Sequence, residues 1–443
     1  MKIQLSDHFT YQRLLHFCLP SIVMMIFTSI YGVVDGLFVS NFVGKIPFAA
    51  INLVMPFIMI LGGFGFMIGT GGSALIAKTL GEDRHELANR YFSMLIIMTV
   101  ILGLILTTIG IVFARRVSLL LGATDVMLDD CVIYLRTVLL FISPFMLQNV
   151  FQSFLVTAQK PHAGLIVTII AGLTNMSLDA LFIVVFRWGV AGAALATGIS
   201  QCIGGLLPLI LFLGKNDSLL HLVPTRLEWS PFFLSCTNGM SELMGNISAS
   251  IVSMLYNFQL LNYAGENGIA AYGVLMYVQF IFIAVFFGYT IGVGPVIGYH
   301  YGAGNHAELK NLLRKSLKLN IITGISMTIL ANLFAGALSR IFVGYDPELY
   351  AMTKSAFHIF ALSFLVCGIN IFASAFFTAL NNGLVSAVIS FLRTLVFQVG
   401  SVLILPAFLG LTGIWLSNTF ADLMAMLISI IFLAAMRKRY HYA

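Results

Sequence analysis

The chain has 443 residues, 59% of them hydrophobic and 9% charged, whereas an average soluble domain is roughly 25% charged. That balance excludes a soluble globular protein, and the formal net charge of +6 is spread over short connections rather than gathered into a nucleic-acid-binding patch. Its five cysteines stand singly, with no CxxC pair and no histidine at metal-ligand spacing, so they read as small apolar packing residues.

A bilayer core about 30 Å thick needs roughly 20 apolar residues per helix. Runs of that length predict twelve membrane helices, over 14–39, 48–77, 91–114, 132–158, 164–186, 190–213, 232–262, 269–299, 317–339, 355–380, 384–408 and 411–435. The first run has basic flanks but is too long for the apolar region of a signal peptide, and no small-residue cleavage site follows it, so it is expected to remain as an anchor. Lys and Arg number fifteen in connections on the N-terminal side, Lys2 and Lys215 among them, against seven on the other side. The excess places both termini in the cytoplasm. The expected fold class is an all-α integral membrane protein of the cell membrane, with no room for a soluble domain.

Shifting the chain by 221 residues brings its halves into register without a net gap. The shift pairs Gly44 with Gly265, Gly71 with Gly292, Gly81 with Gly302, His85 with His306, and Gly189 with Gly410. It also pairs Asn149, Ser153 and Thr157 with Asn370, Ser374 and Thr378. Six spans per half is an even number, so both halves enter the membrane in the same direction and should be related by a pseudo-two-fold axis along the membrane normal. The expected division is an N-lobe over 1–214, an inter-lobe linker over 215–231 and a C-lobe over 232–443. The Asn/Ser/Thr trios lie at i, i+4, i+8, one helix face each. Such stripes serve close helix packing first, with Asn149, Ser153, Asn370 and Ser374 kept as candidates for lining a cavity between the lobes.

Most of the seventeen acids fall in connections, but Asp35, Asp179, Glu242 and Asp422 lie within spans, where a charge costs about 2.5–3.5 kcal/mol to insert and signals function. Asn175 precedes Asp179 by one helical turn, so an amide oxygen and a carboxylate point the same way. Oxygen donors suit a hard cation such as Na⁺, and neighbouring carboxylates can share H⁺. If Asp35 approaches Asp179, the first half contains a cation site. Glu242, with Asn246 one turn on, belongs to an unusually polar span and is a candidate for binding cation or substrate. Asp422 and the intramembrane Arg393 can each pair with a neighbour, and a structural role is expected for both. No P-loop and no nucleophile or metal cluster is marked, which argues against ATP hydrolysis and against an enzyme.

The stretches YGVVDGLFVSNFVG, FMIGTGGSALIAKTLGEDRHELA and TNMSLDALFIVVFRWGVAGAALAT resemble the multidrug and toxic compound extrusion (MATE) family, in its MepA-like branch, over essentially the whole chain. The resemblance implies a V of two six-helix lobes that exports cationic amphiphilic drugs and dyes by alternating access, against an inward flow of H⁺ or Na⁺ and without a cofactor. It assigns Tyr31, Asp35, Asn175, Asp179 and Thr197 to the first-lobe cation site, with Na⁺ as a possible occupant of Asp35, Asn175, Asp179 and Thr197. Glu242 matches a seventh-helix acid of some members, but their tenth-helix Asp has no counterpart in GINIFASAFFTALNN. The expected partners are the lipid bilayer and small cationic amphiphiles, not nucleic acid, with the chain acting as a monomer. The alternative is a flippase for lipid-linked oligosaccharides in the same superfamily, which calls for a cavity richer in Lys and Arg.

Overall fold

A computed structural model describes residues 3–214 and 217–442, so Lys2 and Lys215, both counted in the charge asymmetry, lie outside the described residues, and with Lys215 and Asn216 so do the first two residues of the expected linker. Among those described there is helix and connecting turn, with no strand. The first half comprises α1 (Tyr11–Phe38), α2 (Lys45–Gly81), α3 (His85–Leu120), α4 (Leu128–Leu139), α5 (Ile142–Thr157), α6 (Pro161–Asp179) and α7 (Gly189–Leu213). The second comprises α8 (Trp229–Asn238), α9 (Met240–Gly302), α10 (His306–Val343), α11 (Pro347–Phe360), α12 (Phe364–Ala379), α13 (Gly383–Phe391), α14 (Gln398–Leu409) and α15 (Leu411–Ala435), followed by the short α16 (Arg437–Tyr440).

Ten of these segments are long and apolar enough to cross a bilayer, and the pair α4 and α5, bent by 57°, makes one further span. The 63-residue α9 is two spans, because Gly265 at φ 62°, ψ −152° interrupts the helix. That backbone region is essentially closed to residues with a Cβ. Its repeat partner Gly44, at φ 125°, makes the corresponding turn between α1 and α2. With that division the described residues contain the twelve spans expected. Span seven differs in detail: the expected single helix breaks at Gly239, where α8 ends.

Large apolar side chains such as Leu104, Val112, Leu333 and Phe408 are more than half exposed, which suits lipid rather than water. Where the halves meet, small residues replace them. Gly81 sits on the carbonyl oxygen of Tyr299, and Gly302 on that of Lys78; Gly292 sits on Cys18, and Gly239 on Met67. Tyr299 is the repeat partner of Lys78, so the first two contacts exchange under the 221-residue shift. The structure thus carries its pseudo-two-fold axis through this contact. Backbones approach this closely in membranes because, without a hydrophobic driving force between helices, dispersion contact and hydrogen bonds hold them together. These contacts close the face that bears both termini. Toward the opposite face, a Cβ added to Gly32, Gly36 or Gly273 would meet nothing within 4 Å.

Two straps cross the closed face. The segment before α1 lies on the second half: Glu308 Oε1 accepts the Phe9 N–H at 2.9 Å, and Glu308 Oε2 meets His8 Nδ1 at 2.6 Å. Leu5 and Phe9 are wholly buried there. The connection before α8 lies on the first half: His221 N–H donates to Asn89 Oδ1 at 2.9 Å, and Val223 N–H to Ser93 Oγ at 2.8 Å. Each strap therefore leads into the first helix of its own half while resting on the opposite one.

Candidate functional site

Glycine brings α1 onto α6. A Cβ on Gly172 would lie 2.5 Å from the Phe27 ring and 2.9 Å from that of Tyr31, so these two rings of α1 pack directly on the bare backbone of α6. Beyond the contact both helices leave α geometry. α1 passes into a π turn over Val39–Val43, and the π turn Ala180–Val185 begins one residue after Asp179. Such turns widen the helix and re-aim side chains, and they recur at functional sites.

The consequence is that Asp35 and Asp179 face each other closely enough to interact directly. Asp179 is fully buried, and both of its carboxyl oxygens lack a hydrogen-bond donor. One oxygen of Asp35 is buried and equally unpartnered, as are Asn175 Oδ1 and Thr197 Oγ1. Asn175 shares the face of Asp179 one turn earlier, and the Tyr134 hydroxyl lies against Thr197, near both aspartates. Tyr31 lies against Gln148. The five residues expected at the first-lobe site thus gather around the contact of α1, α6 and α7. Sequence reading missed Tyr134 and Gln148, whose only signal is polarity inside a span. Gln201, one turn beyond Thr197, adds another buried oxygen without a donor.

Two adjacent carboxyls with no basic partner cannot both stay ionised away from water, because desolvation and mutual repulsion act together. A proton or a small cation resolves the conflict. The donor set of carboxylate, amide and hydroxyl oxygens suits a hard cation as well as H⁺. No group of three His, Cys, Asp or Glu suited to a metal ion occurs among the described residues.

The second half is built differently. Asp422 Oδ1 accepts from Arg393 Nε at 2.7 Å, and Asn370 Nδ2 donates to the Asp422 carbonyl at 2.8 Å. Arg393 and Asp422 therefore pair with each other. Glu242, Asn370, Ser374 and Arg393 share the wall of a cavity of about 50 Å³. Asn246 donates its amide to the backbone carbonyl of Glu242 at 2.9 Å, one turn back on its own helix. Asn149 and Ser153 are buried in the first half; Asn149 Nδ2 donates to the Gly62 carbonyl at 3.0 Å, and Thr157 meets Ser73 at 2.7 Å. That trio packs α5 against α2.

Twelve helical spans in two pseudo-symmetric halves, with ionisable groups inside each, form the architecture of a secondary transporter. The MatE family profile matches residues 20–181 and again 243–404, once in each half. The chain belongs to the MatE family, that of the multidrug and toxic compound extrusion transporters. It is 25% identical over 436 residues to the multidrug export protein MepA of Staphylococcus haemolyticus strain JCSC1435, a match covering 97% of this chain and 94% of MepA. A crystal structure of MATE in complex with MaL6 shares its fold with a TM-score of 0.93 at 21% identity over 98% of both chains. An outward-facing multidrug resistance MATE transporter of the MOP superfamily matches with a TM-score of 0.92 at 21% identity, again over 98% of both.

Proposed function

We propose that the protein exports cationic amphiphilic drugs and dyes across the cell membrane by antiport with H⁺ or Na⁺. The observation that carries this reading is the buried pair Asp35 and Asp179, whose unpartnered oxygens call for a small cation. In this scheme Asp35, Asn175, Asp179 and Thr197 hold the ion and Tyr31 steadies the α1 side of the site. Binding moves the conformational balance only by the ion's difference in affinity between the two states. The N-lobe over 1–214 and the C-lobe over 232–443 move as bodies joined through 215–231, and the protein acts as a monomer. With both termini in the cytoplasm, the face closed by Gly81 and Gly302 is the cytoplasmic one, and the arrangement described is open outward. Glu242 and Asn246 contribute to the drug-facing side of the second half. The flippase reading lacks support here, since the intramembrane Arg393 is already engaged by Asp422.

The test is ethidium efflux from vesicles under an imposed pH gradient or an imposed Na⁺ gradient, applied separately. Asp35→Asn and Asp179→Asn are expected to abolish efflux at normal protein levels. Wild-type rates in both variants refute the coupling assignment, and dependence on neither gradient refutes secondary transport.

A further inference from the structure

The strap before α8 encloses a cavity of about 410 Å³ against the first half, bordered by Ile97 and Ile101 of α3, Leu209 of α7, and Leu222, Val223 and Pro224 of the strap itself. The strap turns side chains toward this space because its backbone is engaged on α3: the Val223 N–H donates to Ser93 Oγ, and Pro224 has no N–H to satisfy. Ser93 and Ile101, both on the cavity wall, are eight residues apart, about 12 Å along the helix. Ile97 and Ile101 are 42% and 39% exposed, so the cavity is a groove open sideways to lipid, at the end of the bilayer nearest the termini. Its volume falls in the range of about 300–1,000 Å³ usual for ligand clefts.

Charge at the mouth selects the occupant. Arg90 lies one turn before Ser93 on the same face of α3. Arg226 lies between two ties of the strap to that helix, Val223 on Ser93 and the Glu228 N–H on Met94 Sδ at 3.4 Å. Both arginines are exposed, and among the described residues neither side chain makes an ion pair or a hydrogen bond, not even Arg90 with Glu86 one turn earlier. Glu228, the acid within 219–228, lies by Tyr91, round the helix from Ser93. Just beyond the strap, Trp229 and Phe233 are exposed and stacked at 6.0 Å. Exposed aromatic rings of this kind gather at the membrane–water boundary, which sets the two arginines at head-group level.

A cationic amphiphile is repelled by this pair, and a free anion leaves the apolar groove unfilled. We propose that the groove holds one acyl chain of an anionic phospholipid whose phosphate sits between Arg90 and Arg226. A guanidinium offers paired donors matched to phosphate oxygens. The site is separate from the coupling acids and does not depend on the export reading. Because the strap leads into α8, a lipid seated between the strap, α3 and α7 fastens the start of the second half to the first.

The test is native mass spectrometry of the purified full-length protein, stripped of lipid in detergent and titrated with dioleoylphosphatidylglycerol or dioleoylphosphatidylcholine. One basic side chain at an anionic surface is worth about fivefold in affinity, so the first phosphatidylglycerol is expected to bind about twenty-five-fold more tightly than the first phosphatidylcholine. Arg90→Gln and Arg226→Gln should each remove about fivefold of that preference, and together nearly all of it, with phosphatidylcholine unaffected; the corresponding pair of lysine variants, which keeps the charge, should retain most of it. Ile97→Trp fills the groove from its lipid-facing side and is expected to weaken both lipids at least tenfold. If that variant does not fold, phosphatidylglycerol must slow amide exchange over 219–228 in the parent and not in Arg90→Gln with Arg226→Gln. Equal affinity of the parent for the two lipids, or a preference that survives loss of both arginines, overturns the proposal. So does displacement of the lipid by glycerol 3-phosphate, which assigns the arginines to a free anion, or by ethidium, which assigns the groove to a drug.

Discussion

Closure of the terminus-bearing face depends on contacts that have no space for a methyl group. A Cβ on Gly302 would lie 2.8 Å from the Lys78 carbonyl carbon and closer still to its oxygen, inside the 3.0 Å that real Cβ atoms keep. Neither atom belongs to a flexible side chain, so Gly302→Ala must move the halves apart locally by roughly 1 Å to restore ordinary contact. Gly81→Ala does the same against Tyr299 on the other side of the axis. Overpacking of this kind costs about 1–3 kcal/mol. The opposite arrangement, open at this face, does not bear that cost, so its population rises by roughly five- to 150-fold. Spin labels at Glu86→Cys and Ala307→Cys, repeat partners on exposed positions, report the change by pulsed dipolar spectroscopy in a background with the five cysteines replaced. Gly302→Ala is expected to shift the distance distribution to longer values, and the Gly81→Ala/Gly302→Ala pair further. A distribution identical to the parent's in the double variant refutes the assignment of these contacts to closure.

Asp422→Asn strands Arg393 without its counter-charge and is expected to destabilise the protein by about 3–5 kcal/mol, read as a lower thermal midpoint by tryptophan fluorescence; replacing both residues with leucine should recover most of the loss. Glu308→Ala leaves the Phe9 N–H without its acceptor, a cost of about 1–3 kcal/mol. Faster amide exchange is expected over residues 3–10 but not over 217–228, and equal change in both straps contradicts their independent anchoring. Gly172→Val pushes a side chain into the Phe27 and Tyr31 rings, so ethidium efflux should fall at least tenfold while membrane levels hold; unimpaired efflux separates the α1–α6 contact from transport.

Much of the architecture follows from local properties of the chain. Each span is an apolar run of bilayer length, and hydropathy acts residue by residue, so position in the sequence suffices to find it. The repeat is equally plain, and it foresaw that Gly44 and Gly265 play the same part, because a backbone conformation closed to Cβ-bearing residues leaves glycine at both positions. The acids inside spans were visible as costs in search of a reason, and Asn175 could be placed beside Asp179 by helical spacing alone.

Other features depend on which helix lies against which. The meeting of Asp35 with Asp179, 144 positions apart, requires Gly172 to admit α1 and two π turns to aim the side chains, and no local pattern marks those turns. Tyr134 on α4 and Gln148 on α5 reach the site only through the packing of those helices against it, whereas Asn149 and Ser153, just as polar, are turned into α2. The Arg393–Asp422 pair and the crossed straps are likewise long-range matches. An isolated helix in lipid has no preferred neighbour, so its polar residues acquire partners only when packing selects the face they occupy; apolar length commits a segment to the membrane, and side-chain contact between helices decides what that segment does there.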